Sequence, residues 1–189
     1  MTRSAIAFAC LMTVVAGGLV RGAQLQPTGA PDPGPERRKL EVYAGEWDFV
    51  GESKAVPELG MNDAGKITYR HVSKVANGGF FVETRRTGDG PRGPFSELFV
   101  YSYDAASKTY RQNCFDSRGR VRVFTGTVEG LTWSFAGTNT SADGVVTSER
   151  FTLTYASDLR SATVRSEHSK DRITWYERTT GTYTKTSVP

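Results

Sequence analysis

The sequence predicts an all-β protein: an antiparallel up-and-down barrel of about ten strands with a short N-terminal plug helix. Three observations carry this. Alternation with a period of two recurs from Trp47 almost to the C-terminus, which is the pattern of half-buried strands. The alternating runs are separated by short turn signals such as "ANGG", "DAASK", "DSRGR" and "SADG", so neighbours in sequence become antiparallel neighbours in space. A flat meander of that length would leave two open edges, and closing it into a barrel removes them.

The elements follow in order. "MTRSAIAFACLMTVVAGGLVRGAQ" has a positive start at Arg3, an apolar centre from Ala5 to Val20 and small residues at Gly22 and Ala23. That is the pattern of a secretory signal peptide, assigned to residues 1–22. The apolar run is short for a membrane span and is interrupted by Gly17 and Gly18. The expectation is therefore an exported protein, periplasmic or extracellular, with no stable membrane span after cleavage. Residues 23–38 read as a linker, because the prolines and glycines of "PTGAPDPGP" suit neither a central strand nor a helix. The barrel domain is assigned to residues 39–187. The helix-like "PERRKLEVYAG" ends at Gly45, which tolerates the dihedrals of a helix end, and "EWDFVGE" then opens the first strand.

Counting that one, the chain holds eleven strand-like segments, the last two being "RITWYERT" and "TYTKT". Their parity predicts what faces inward. Ile67, Tyr69, His71 and Val75 share one face, as do Tyr110, Gln112 and Cys114. Leu131, Trp133 and Phe135 form another set, Ala162, Val164, Ser166 and His168 a fourth, and Ile173, Trp175 and Glu177 a fifth. "FSELFVYSYD" is apolar on both faces, with Phe95, Glu97, Phe99, Tyr101 and Tyr103 opposing Leu98 and Val100. The resulting interior is aromatic, carries scattered polar groups and holds few lysines or arginines.

Gly45-Glu46-Trp47, placed after a short helix at the start of the first strand, resembles the G-x-W signature of the lipocalin and calycin superfamily. The longer set "LEVYAGEWDFVGE", "NGGFFVE", "FSELFVYSYD", "FTGTVEGLTWSF" and "TYTK" resembles the bacterial domain-of-unknown-function family numbered 1579, which is calycin-like. The resemblance spans Leu40 to Lys185. It implies that Gly45 and Trp47 close one barrel end beneath the helix. It also implies that a basic residue of the last strand packs over the Trp47 ring; Lys185 is the best match and Arg178 the second. The family carries no settled activity.

Bulk properties and motifs exclude several functions. The formal charge is +4, and Arg3 and Arg21 carry two of those charges, leaving +2 for the rest with both signs interleaved. Such a balance gives no case for nucleic acid. Beyond the leader, which contains Cys10, Cys114 is the lone cysteine and has no disulfide partner; it reads as a small core residue. His71 and His168 are the two histidines and lack metal-ligand spacing, so no metal and no cofactor is expected. No G-x-S-x-G elbow or phosphate-cradling loop occurs. A carboxylate pair could be assembled from Glu97 and Glu177, but any barrel offers such pairs, and no catalytic residue is assigned.

The function that follows is an exported small-molecule-binding protein. Its ligand would be apolar or amphipathic and held inside the barrel, where Tyr69, His71, Tyr101, Gln112, Trp133 and His168 are the candidate contacts. The alternative is a structural or interaction module whose barrel is filled by its own side chains. A third reading, a haem-binding or enzymatic barrel, rests on His168: nitrobindin, a haem-binding calycin barrel, carries its axial histidine near the C-terminal end, although the flanking sequence here does not match. Oligomeric state is not legible.

Overall fold

The computed structural model describes residues 31–140, 144 and 146–187. The leader expected over residues 1–22, and residues 23–30 of the expected linker, lie outside the described residues.

A short helix α1 (Gly34–Arg38) runs into a 3₁₀ turn (Lys39–Tyr43). The helix begins inside the segment expected as linker. Pro35 stands in its first turn, where the missing N–H forfeits no hydrogen bond; proline stops a helix only from within. Glu36 in the first turn and Arg37 and Arg38 in the last complement the helix dipole. Gly45, just beyond Ala44, takes φ +106°, which glycine accepts without strain.

Ten strands follow: β1 (Gly45–Ser53), β2 (Gly65–Ala76), β3 (Phe81–Asp89), β4 (Phe95–Asp104), β5 (Thr109–Asp116), β6 (Val121–Glu129), β7 (Thr132–Thr140), β8 (Val146–Tyr155), β9 (Ser161–Ser169) and β10 (Tyr176–Ser187). Each pairs with its neighbour in sequence, and β10 returns to pair antiparallel with β1, closing the barrel. "RITWYERT" and "TYTKT" thus do not form two strands. Residues 170–175 are a turn, and the single strand β10 runs through Gly181. Gly181, which lies between those two segments, is a point of close contact: a Cβ there, or at Gly51 opposite it, would overlap the Phe49 ring. The ring lies flat across two bare backbones.

Five of the residues expected to face inward do not: Ile173, Trp175, Glu177, Leu131 and Val75; Trp175 precedes β10 and lies under the exposed Arg150 side chain. Ile173 lies in the turn before β10 and is 83% exposed. Leu131 lies in the β6–β7 turn and Val75 near the end of β2, and both are exposed. A register shift between Glu177 and Thr179 turns Arg178 inward. Glu177 is left beside Arg165 and Lys54, two exposed side chains, so Glu97 and Glu177 do not form a pair.

The two barrel ends differ. At one, Leu40 and Tyr43 of the plug are buried against the aromatic core. Tyr43 stacks on Tyr101 at 4.5 Å and meets the edges of Trp133 and Tyr155. Trp47 donates its indole N–H to the Tyr43 carbonyl at 3.1 Å. The Lys185 ammonium lies 5.1 Å from the Trp47 ring centroid, and the two residues are cross-strand partners. Arg178 is not involved; it sits by Asp63 near the other end. No helix among the described residues is long and apolar enough to cross a membrane.

Candidate functional site

The half of the barrel away from the plug holds a cavity of about 250 Å³. Its walls are built by alternation. Inward positions of β3 give it Arg86; those of β4 give Glu97, Phe99 and Tyr101; those of β6 give Arg122 and Phe124; those of β8 give Glu149, Phe151 and Leu153. Aromatic and aliphatic side chains therefore cover one part of the wall and ionised groups the other.

The ionised groups form a belt. Arg86 donates Nε–H to His71 Nε2 at 2.5 Å, one Nη to Glu97 at 2.8 Å and the other to the Tyr183 hydroxyl at 3.4 Å. Its guanidinium also lies between the Tyr69 and Phe99 rings, 4.2 and 4.4 Å from their centroids. Glu97 bridges onward to Arg122, whose Nη2 also reaches Cys114 Sγ at 3.0 Å. Arg122 Nη1 stands 3.9 Å from Glu149, and Glu149 stands 3.8 Å from His168 Nε2. Closer to the mouth, Arg178 ties β10 to the loop after β1 through the Lys54 carbonyl and both the carbonyl and carboxylate of Asp63. Arg92 shares Asp63 at 3.3 Å, and Arg120 pairs with Asp116 at 2.6 Å.

Burial sets the protonation of these groups. It holds His71 well below its ordinary value, reinforced by the Arg86 charge. The geometry agrees, because a nitrogen that accepts from Arg86 carries no proton. Burial also lowers His168, against the opposing pull of Glu149. The Cys114 thiol is pushed up to about 11, chiefly by burial, so it is an unreactive thiol at neutral pH. Burial works against Asp63 ionising, but Arg178 and Arg92 hold its carboxyl below the usual range.

Several buried polar atoms have no hydrogen-bond partner among the described residues: Tyr43 Oη, Gln112 Oε1, Arg122 Nε, Asn139 Oδ1, Glu149 Oε2 and His168 Nδ1. All six residues line the same cavity. Among the described residues no group of three or more His, Cys, Asp or Glu is placed to hold a metal ion.

Five of the six residues singled out from the sequence line the cavity: Tyr69, His71, Tyr101, Gln112 and His168. Tyr69 shares a 2.7 Å hydrogen bond with Tyr183, and Gln112 donates to the Tyr101 hydroxyl at 2.8 Å. Trp133 is not among them. It is packed between Tyr110 at 4.7 Å and Tyr43 at 5.2 Å, in the plugged end. The larger correction is charge. The interior expected to hold few arginines contains Arg86, Arg122 and Arg178, with Glu97 and Glu149. Alternation would have found Arg86, Arg122 and Glu149 in "VETRRT", "RVRVFTG" and "TSERFTLTY". In each, a charged residue shares parity with an apolar or β-branched core residue.

A family model described as "Protein of unknown function (DUF1579)" matches residues 32–185, and the chain belongs to that family. No curated protein matches the chain significantly. A solved structure that does is the crystal structure of Rv2717c from M. tuberculosis, at 14% identity and a TM-score of 0.56. The match covers 82% of this chain and 99% of that one. At that identity the likeness speaks for the fold alone.

Proposed function

We propose that the protein binds a small amphipathic molecule in the open half of its barrel, and that it does so as an exported protein. The observation that carries the binding reading is the set of unpartnered buried polar atoms around one cavity. A buried donor or acceptor left unpaired costs about 1–3 kcal/mol. Side chains that filled the barrel for stability alone would not leave six such atoms around one space. A volume of about 250 Å³ corresponds to about eight waters at liquid density. That suits a compact ring compound, with its body on the phenylalanine and tyrosine wall and a polar head at the belt. The alternative of a side-chain-filled barrel has the cavity against it.

The test is a panel of aromatic compounds, fatty acids and haem, titrated against intrinsic tryptophan fluorescence. Micromolar binding of single-ring compounds that weakens in Arg122→Gln supports the reading. No binding across the panel would leave the structural-module reading in its place. Export rests on the leader-like residues 1–22. N-terminal sequencing of the cellular protein should find a start near Ala23; a start at Met1 would overturn it.

A further inference from the structure

The charges of the belt cancel. Two guanidinium groups, Arg86 and Arg122, face two carboxylates, Glu97 and Glu149. At the mouth Arg178 and Arg92 share Asp63 and Arg120 is matched by Asp116, so with Arg118 the mouth carries two more arginines than carboxylates. Both histidines are disfavoured as cations by burial. Inside the belt there is no spare charge for a charged ligand to meet.

The hydrogen-bonding capacity is not spent evenly. Each nitrogen of Arg86 has a partner, with His71, Glu97 and Tyr183 along its edges and the Tyr69 and Phe99 rings close to its guanidinium. Arg122 is committed at Nη2 and open at Nε–H. Glu149 is open at Oε2, and His168, its cross-strand partner, is open at Nδ1. One donor, one acceptor and one imidazole nitrogen without partners thus belong to residues of β6, β8 and β9 that line the same cavity.

We propose that this group of three binds the head of an uncharged molecule that both donates and accepts hydrogen bonds, such as a primary amide, and rejects the matching carboxylate. The inference rests on the binding reading above and narrows it. A carboxylate only accepts, so it would satisfy Arg122 Nε and leave Glu149 Oε2 facing a like charge. Past the arginines of the mouth it would also enter the belt as a net charge, where the guanidinium groups are already matched by carboxylates and do not offset its desolvation. An ammonium head has the reverse fault: it satisfies Glu149 but leaves Arg122 Nε–H facing a cation. A primary amide supplies the carbonyl and the N–H together.

The probes are benzamide, benzoate and benzylamine, and cinnamamide with cinnamate, titrated into the full chain at neutral pH by calorimetry. The amides should bind about tenfold tighter than the carboxylates of the same ring, the difference one well-placed polar partner makes. Glu149→Gln keeps the shape, removes one negative charge and leaves the belt at +1. It should shift the ratio toward the carboxylate by about tenfold, with the melting curve as the check on folding. Carboxylate or ammonium binding as tight as amide binding overturns the inference while the binding reading stands. An amide preference that Glu149→Gln does not move overturns it too, because selectivity would then lie elsewhere. Failure of every probe overturns both readings.

Discussion

The plugged end and the open half of this barrel are made by the same strands with the same alternation, yet they treat their polar atoms in opposite ways. At the plugged end nearly every buried polar group has a partner. The Trp47 indole meets the Tyr43 carbonyl, Ser73 meets Thr84 at 2.7 Å, and Tyr110 meets Glu36 at 2.8 Å. The Tyr43 hydroxyl is the exception, and it lines the cavity. In the open half, charged side chains are drawn inside and several of their hydrogen-bonding positions are left vacant. The first arrangement maximises stability. The second forgoes some of it, as binding sites commonly do.

Substitutions can break or sharpen that contrast. The largest effect is expected at the plugged end. Trp47 is almost wholly buried, and Trp47→Ala should cost about 3–5 kcal/mol in denaturant-induced unfolding. A variant as stable as the parent would remove the plug from the account of stability. Next comes Glu97, the one carboxylate that holds both Arg86 and Arg122. Glu97→Gln strands two buried cations and should cost about 3 kcal/mol by the same measurement.

Titration of the histidines should be smaller. Their folded-state values are lowered from 6.5, so the unfolded chain takes up protons that the folded chain refuses. Stability is therefore whole above about pH 6.5 and falls as the pH drops below it, by up to about 1.4 kcal/mol per pH unit for each histidine. His71→Gln with His168→Gln should flatten that slope between about pH 7 and pH 5; an unchanged slope would mean that carboxylates alone set the acid limit. Lys185→Ala, which removes a partly exposed cation–π contact, should cost about 0.5–1 kcal/mol. The smallest effect is expected at Glu149. Its carboxylate makes no close hydrogen bond, and Glu149→Gln should change stability by less than about 1 kcal/mol in either direction. Equal losses at Glu97 and Glu149 would show that the two halves do not differ as described.

The fold was legible because alternation and turn chemistry are local. Tyr110, Cys114, Phe135 and Ala162 can be placed inside by parity alone, and each is buried. The site was half legible. His71 and His168 stood out as rare residues on apolar faces, whereas arginine in a strand reads by habit as solvent-facing. Arg86 follows Arg85 directly, and in a two-residue period one of the pair must point inward. Arg178 was hidden for another reason: the register shift beside it reverses the parity of β10, and a bulge of that kind has no residue signature here. Trp133 was assigned to the right face but the wrong depth, because parity says which side of a sheet a residue takes and not which end.

The closing pair of strands has a consequence in time. All other pairings are hairpins between sequence neighbours, which form on the scale of microseconds. The β1–β10 seam instead joins Trp47 to Lys185, and it cannot begin until the last strand exists. Until then β1 shows an unpaired edge, open to other chains at the moment it is most apolar. The slow step in folding should be the docking of β10 on β1. Losing a few residues from the end of β10 would leave a chain that folds most of its hairpins and then waits, aggregating rather than closing.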